Sequence, residues 1–200
     1  MLELNQHRIC DEAPDLVSHG IRTAQIAVAI ARFMDLPRHQ ADVIGFAARL
    51  HDIGKTRIDP EILNKPGPLD ADEWVELQRH PQLGYDLLRS HVDPEVATMV
   101  LMHHERLDGG GYPGAVGGGR IDMSLRILHV ADAYDAITSE RPYQEAMSVE
   151  YAISELTAHM GTQFDPDPVQ ALLSIVTHQE HRFTETIRPF RVPSTLAAVS

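Results

Sequence analysis

The chemistry in this chain gathers at a few points. His51 and Asp52 close an apolar run and are followed by Gly54–Lys55. Two adjacent ionisable groups at the end of a core-facing helix need partners, because burying an unpaired charge is costly. An exposed helix end would carry the same pair without that demand, so HD followed by GK leaves both readings open. His103–His104–Glu105 ends another helix and leads into a glycine-rich loop. Neighbours on a helix project about 100° apart, so successive imidazoles suit two ions side by side better than one. A solvated His pair is the alternative. His19 has Val17 and Ile21 beside it and His80 precedes Pro81; each alone reads as an ordinary core histidine. Asp132 sits between Val130–Ala131 and Ala133–Tyr134, a carboxylate inside an apolar helix. Five helices, each offering an inward His or Asp, form the pattern of a metal centre in a bundle core.

Gly111–Tyr112–Pro113, inside GGGYPGAVGGG, invites comparison with a phosphate-binding loop. No Gly-Lys-Ser/Thr follows it and no strand precedes it, so neither a P-loop nor a dinucleotide fingerprint fits. A mobile, gated loop beside a metal site is the expectation.

The elements that must position these residues are helical. Pro14 suits a first turn, and Asp15 to Phe33 is rich in Ala, Ile and Val, ending before Pro37. Arg38 to Ile53 places Val43, Phe46, Ala47 and Leu50 on one face, with Gly54 as its stop. Asp70 and Glu73 form an acidic capping box opening a helix that reaches Arg89, with a break suggested by Pro81 and Gly84. Pro94 to Glu105, Met123 to Thr138, Ser148 to Met160 (closed by Gly161) and Asp167 to His178 complete the series. No strand-like alternation is long enough for a sheet. The fold class is all-α, a single bundle of about seven helices, with residues 1–14 a lead segment, 15–178 the domain and 179–200 a tail.

Composition narrows the chemistry. The 200 residues hold 12 His, 29 Asp+Glu, 17 Lys+Arg and one Cys (Cys10), for a net charge of −12. One cysteine excludes a disulfide framework, a zinc ribbon and an iron–sulfur site. The acidic balance opposes non-specific binding to nucleic acid or to an anionic membrane. No apolar run has membrane-spanning length and the N-terminus lacks a signal-peptide pattern, which reads as cytoplasmic. Many imidazoles and carboxylates without thiolates are what a hard or borderline ion needs.

Taken together, HDIGK (51–55), KPGPLDADE (65–73), His80–Pro81, HHERLDGGGYP (103–113), VADAYDAITSERPY (130–143) and GTQFDP (161–166) resemble the HD-GYP family. These are the HD-superfamily metal-dependent phosphohydrolases that degrade the bacterial second messenger cyclic di-GMP. The resemblance runs from about Asp15 to His178. It implies that His19, His51, Asp52, His80, His103, His104 and Asp132 ligate metal, with Asp52 bridging two divalent ions. A nitrogen and oxygen donor set suits iron or manganese better than a structural zinc. It further implies that Lys55 approaches the scissile phosphate as a catalytic and substrate-binding group, and that Gly111, Tyr112, Pro113, Arg141 and Tyr143 contact the substrate. Members with a third metal carry a glutamate one turn before the first His ligand; here that position is Asp15, one methylene shorter. Two ions are therefore expected, with Asp15 either reaching a third or simply stabilising a helix N-terminus. His7, His39, His91, His129, His159, His178 and His181 match no ligand position and read as surface or packing residues.

The implied reaction is hydrolysis of one 3′–5′ phosphodiester to linear pGpG, and on to GMP, with a hydroxide generated between the two ions as nucleophile. One alternative is a module that binds cyclic di-GMP, or a diguanylate cyclase or other signalling protein, without turnover. Another is an HD phosphohydrolase acting on a different nucleotide, such as a hybrid cyclic dinucleotide. No receiver, PAS or membrane-sensor pattern is present, which reads as a stand-alone enzyme or a fragment regulated through a homodimer or a separate partner.

Overall fold

The computed structural model describes residues 14–140 and 146–178. Within them lie nine α-helices: α1 (Pro14–Phe33), α2 (Arg38–Leu50), α3 (Pro60–Leu63), α4 (Ala71–Leu77), α5 (His80–Leu88), α6 (Pro94–Met102), α7 (Met123–Thr138), α8 (Val149–Ala158) and α9 (Pro166–His178). Two 3-10 turns, Ile53–Arg57 and Gly118–Arg120, are interleaved. No strand occurs among the described residues; Met160 and Phe164 form an isolated bridge. None of the described helices is long and apolar enough to cross a membrane.

The caps follow side-chain chemistry. Asp70 accepts from the amides of Asp72 and Glu73 while Glu73 accepts from the Asp70 amide, closing the expected capping box. Asp59, Asp93, Asp122 and Ser148 cap α3, α6, α7 and α8 in the same manner. Small residues let α1 and α2 approach: Ala24, Ala27, Ala31, Ala41, Ala47 and Ala48 are all buried. Ile30, Ile44, Ile127, Leu128, Val130 and Leu156 fill the core between α1, α2, α7 and α8.

Several element boundaries differ from those expected. The break expected inside Asp70–Arg89 falls at Gln78–Arg79 and makes two helices, so that Pro81 lies in the first turn of α5, where its missing N–H costs nothing. The single turn α3 was not foreseen, and with that split it raises the count from seven to nine. The second helix ends at Leu50 rather than Ile53, and Gly54 does not stop it. Gly54 lies inside the 3-10 turn, where an added Cβ would sit 1.9 Å from the His80 carbonyl oxygen and 2.5 Å from the Gly84 nitrogen. This glycine lets the segment carrying His51 and Asp52 touch the helix carrying His80. The helix expected from Pro94 to Glu105 likewise stops at Met102, leaving His103, His104 and Glu105 beyond its end.

That contact gives a test of the scaffold. Gly54→Ala is expected to cost roughly 3 kcal/mol or more of stability in denaturant melts, since a backbone atom must yield. A wild-type midpoint would contradict the packing described.

Candidate metal centre

Three histidines are oriented by the same device. The last carbonyls of a helix have no intrahelical partner, and a histidine just past the helix end can donate Nδ1–H to one of them. His51 follows α2 and its Nδ1 lies 2.6 Å from the Ala48 oxygen. His80 follows the end of α4, with Nδ1 2.7 Å from the Leu77 oxygen. His103 follows α6, with Nδ1 2.7 Å from the Val100 oxygen. In each ring Nδ1–H is thereby held against the main chain and Nε2 is turned toward the interior of the site. The negative ends of helix dipoles also favour a cation here.

His19 and Asp132 come from the middles of α1 and α7. His19 Nε2 stands 3.0 Å from Asp132 Oδ1, and its Nδ1 stands 2.7 Å from Asp135 Oδ2. Asp52 lies among all four rings. Its Oδ1 is 3.3 Å from His80 Nε2 and 3.7 Å from His103 Nε2. Its Oδ2 is 3.4 Å from His51 Nε2 and 3.8 Å from His19 Nε2. The donors thus form two groups, Asp52–His80–His103–His104 and His19–His51–Asp132, with the two oxygens of Asp52 turned one toward each. Donors sharing one ion at bonds of about 2.1 Å lie about 3.0–3.4 Å apart, which these spacings approach.

All seven ligand positions expected from the sequence converge. Asp15 does not: it is exposed in the first turn of α1 and belongs to neither group. Arg141 and Tyr143 lie outside the described residues, as do His7 and His181. His39, His91 and His159 are exposed, and the buried His129 stands 3.2 Å from the Met102 carbonyl, a packing role as expected.

The electrostatics are divided. Burial opposes the charge on Asp52, yet Lys55 and His51 outweigh it and hold the carboxyl well below its usual range. Asp132 is held low against burial by His51 and His19. His51 resists burial through Asp52 and Asp132 and is raised to about 10. On the other side burial dominates, lowering His103 to about 4 and His104 to about 2. Two buried atoms, His51 Nε2 and Asp52 Oδ1, have no hydrogen bond among the described residues. Orphaned buried polar atoms are rare, and these two are the ones that face the interior of the donor groups. The residues therefore fit a pair of divalent ions, with neutral and anionic nitrogen and oxygen donors and no thiolate.

The glycine-rich loop, expected to be mobile and gated, is tied to the site by several hydrogen bonds. Glu105, 3% exposed, accepts the amides of Gly114 at 2.6 Å and Val116 at 2.7 Å. The Tyr112 amide donates to the His104 carbonyl at 3.1 Å, and the Tyr112 ring lies 4.7 Å from that of His104. A Cβ on Gly111 would lie 2.4 Å from the His104 oxygen, so only glycine permits this approach. The GTQFDP stretch braces the loop from outside. Arg106 Nη1 donates to Gln163 at 2.8 Å, and Arg126 joins Asp165 to the carbonyls of Gly118 and Ile121. Lys55 Nζ stands 2.7 Å from Asp52 Oδ2 with its side chain 24% exposed.

Sequence reasoning missed two carboxylates, Glu105 and Asp135. Asp135 had a local signal, since its i+3 spacing from Asp132 places both on one face of α7. Glu105 had none, because its partners lie in a loop of irregular backbone.

Comparison with known proteins gives the family. A family model described as HD domain matches residues 3–167. The chain is 41% identical over 155 residues to the cyclic di-GMP phosphodiesterase response regulator RpfG of Xanthomonas campestris, covering 76% of this chain and 41% of that protein. It is 38% identical over 162 residues to 3′3′-cGAMP-specific phosphodiesterase 2 of Vibrio cholerae, covering 78% and 30% respectively. The chain thus spans less than half the length of these relatives. An HDG"Y"P protein from Bdellovibrio bacteriovorus shares the fold, with a TM-score of 0.68 at 18% identity over 81% of this chain and 52% of that one.

Two outcomes follow from the site. Glu105→Gln leaves one of the two loop amides facing an NH2 group, which is expected to cost about 1–3 kcal/mol and to speed hydrogen exchange at Gly114 and Val116. Unchanged exchange would show that the latch does not hold the loop. In the ion-free site His51 keeps its proton up to about pH 10, whereas ligation needs Nε2 bare, so affinity for ions rises with pH and binding at neutral pH releases protons. Calorimetry in buffers of different ionisation enthalpy reads that release; its absence would contradict the assignment of His51.

Proposed function

The chain belongs to the HD domain family, and from that premise we propose that it is a metal-dependent phosphodiesterase of the HD-GYP type, hydrolysing a 3′–5′ phosphodiester of cyclic di-GMP to linear pGpG and on to GMP. The observation that carries this reading is the placement of Asp52, a buried carboxylate with one oxygen turned toward each of two His-rich donor groups.

His80, His103, His104 and Asp52 would hold one divalent ion, and His19, His51 and Asp132, with the second oxygen of Asp52, the other. Each set leaves coordination positions open, which suits iron or manganese with room for water and substrate. Such a pair of ions supplies Lewis acidity at the phosphoryl group and lowers the pKa of coordinated water.

The chain's own residues do the remaining work. The carbonyl-anchored rings keep Nε2 of His51, His80 and His103 in place, so no reorganisation is needed at the moment of reaction. Lys55, partly exposed beside Asp52, supplies a cation for charge building on the phosphoryl oxygens. Tyr112, in the loop held by Glu105, lies with its ring 4.7 Å from that of His104 at the edge of the site, and Gly111 and Pro113 flank it as substrate-contact positions. By the resemblance, Arg141 and Tyr143 would hold the substrate's phosphates, and Asp15 is left to the N-terminus of α1.

A second reading concerns the base rather than the chemistry. Relatives at 38% and 35% identity are named 3′3′-cGAMP-specific phosphodiesterases, so a hybrid cyclic dinucleotide is the competing substrate. Iron- or manganese-loaded protein offered both dinucleotides, with products separated by chromatography, tests the proposal. The expected result is linear pGpG from cyclic di-GMP, abolished in Asp52→Asn and reduced about 10²–10³-fold in Lys55→Ala at unchanged metal content. Loaded protein that binds cyclic di-GMP without yielding linear product would overturn it in favour of a binding module.

A further inference from the structure

His19 is oriented differently from the other anchored rings. His51, His80 and His103 donate Nδ1–H to main-chain oxygens. His19 lies inside α1, where backbone carbonyls are engaged in the helix, and its Nδ1 meets the carboxylate of Asp135 instead. Asp135 is 2% exposed and lies in neither donor group. Its neighbours all approach as donors. Arg22 Nε at 2.7 Å and Ser139 Oγ at 3.0 Å face Oδ1. Arg22 Nη2 at 3.1 Å and His19 Nδ1 at 2.7 Å face Oδ2. Asp132 meets the opposite nitrogen of the same ring at 3.0 Å, so two carboxylates one turn apart on α7 hold His19 from both sides.

We propose that Asp135, clamped by Arg22, is a positioning residue for metal binding: it keeps the His19 proton on Nδ1 and so leaves Nε2 bare toward His51 and Asp132. A carboxylate acceptor also makes the imidazole a stronger donor than a carbonyl would. The arrangement discriminates against an amide. Both oxygens of Asp135 face the same guanidinium, so an asparagine must turn its NH2 toward a donor whichever way it sits. His19 is the partner that can yield, by moving its proton to Nε2. Thr23 Oγ1, 3.3 Å from His19 Nδ1, can then donate to the bared nitrogen. An Nε2–H facing the donor group cannot ligate an ion.

The inference rests on the two-ion reading of the site and not on the identity of the nucleotide. Asp135→Asn, titrated with zinc as a diamagnetic probe against a competing chelator, is expected to lose affinity about ten- to a hundredfold at one of two sites, the other remaining close to wild type. Nitrogen-15 spectra of the imidazoles are expected to show the His19 proton on Nδ1 in zinc-loaded wild type and on Nε2 in the variant. Wild-type affinities in the variant, or equal loss at both sites with the His19 proton unmoved, would overturn the proposal and leave Asp135 a structural residue. Should the variant fail to fold, an Nε2 proton on His19 in the zinc-loaded wild type would overturn it alone, and an Nδ1 proton would support it. Wild type that binds no zinc would instead overturn the two-ion reading itself.

Discussion

Asp52 has both oxygens inside the protein, within reach of four imidazoles and one ammonium group. A carboxylate so buried is tolerable only if positive charge stays within a few ångströms, and the architecture around it can be understood as meeting that demand. Lys55 reaches it from the following 3-10 turn. His51, from the preceding position, balances Asp52 and Asp132 together. The side built from His80, His103 and His104 has no second carboxylate, and burial keeps His103 and His104 neutral. The two halves therefore reach the same geometry with different charge, one predisposed to surrender protons to an ion and the other already bare.

Holding that arrangement requires elements distant in sequence to meet closely. Gly54 brings the turn after His51–Asp52 onto His80, and Gly111 brings the loop onto His104. Small residues allow the close crossing of α1 and α2, which sets His19 beside His51 at a ring separation of 5.0 Å. The outer brace of Arg106, Gln163, Arg126 and Asp165 fixes the far side of the loop. Packing in this chain thus serves mainly to keep nitrogen and oxygen atoms a few ångströms apart.

Much of this was legible in the sequence. The caps at Asp70 and Ser148, the first-turn Pro94 and the apolar faces of α1, α2 and α7 obey local rules, so these helices begin where pattern placed them. The seven donor positions came from the ordered motifs that resemble the HD-GYP family, and the structure brings their side chains together. What escaped depended on contacts between remote segments. Gly54 reads locally as a helix stop, and only the His80 carbonyl reveals it as a point of passage. The glycine-rich loop reads as mobile until Glu105 is seen to hold two of its amides. Asp135 reads as an ordinary polar residue until α1 is laid against α7. Local pattern specifies what an element is, whereas tertiary contact specifies what its polar atoms are for.

The acceptors that orient His51, His80 and His103 are carbonyl oxygens of Ala48, Leu77 and Val100. Every amino acid carries that oxygen, so side-chain replacement at those positions cannot delete the acceptor. His19 alone among these four relies on a side chain that mutation can remove or alter. Heritable variation therefore reaches the two halves of the centre unequally. On the proposed two-ion reading, the half containing His80 and His103 is shielded, while the half containing His19 is where descent could retune affinity or ion preference without touching a single donor.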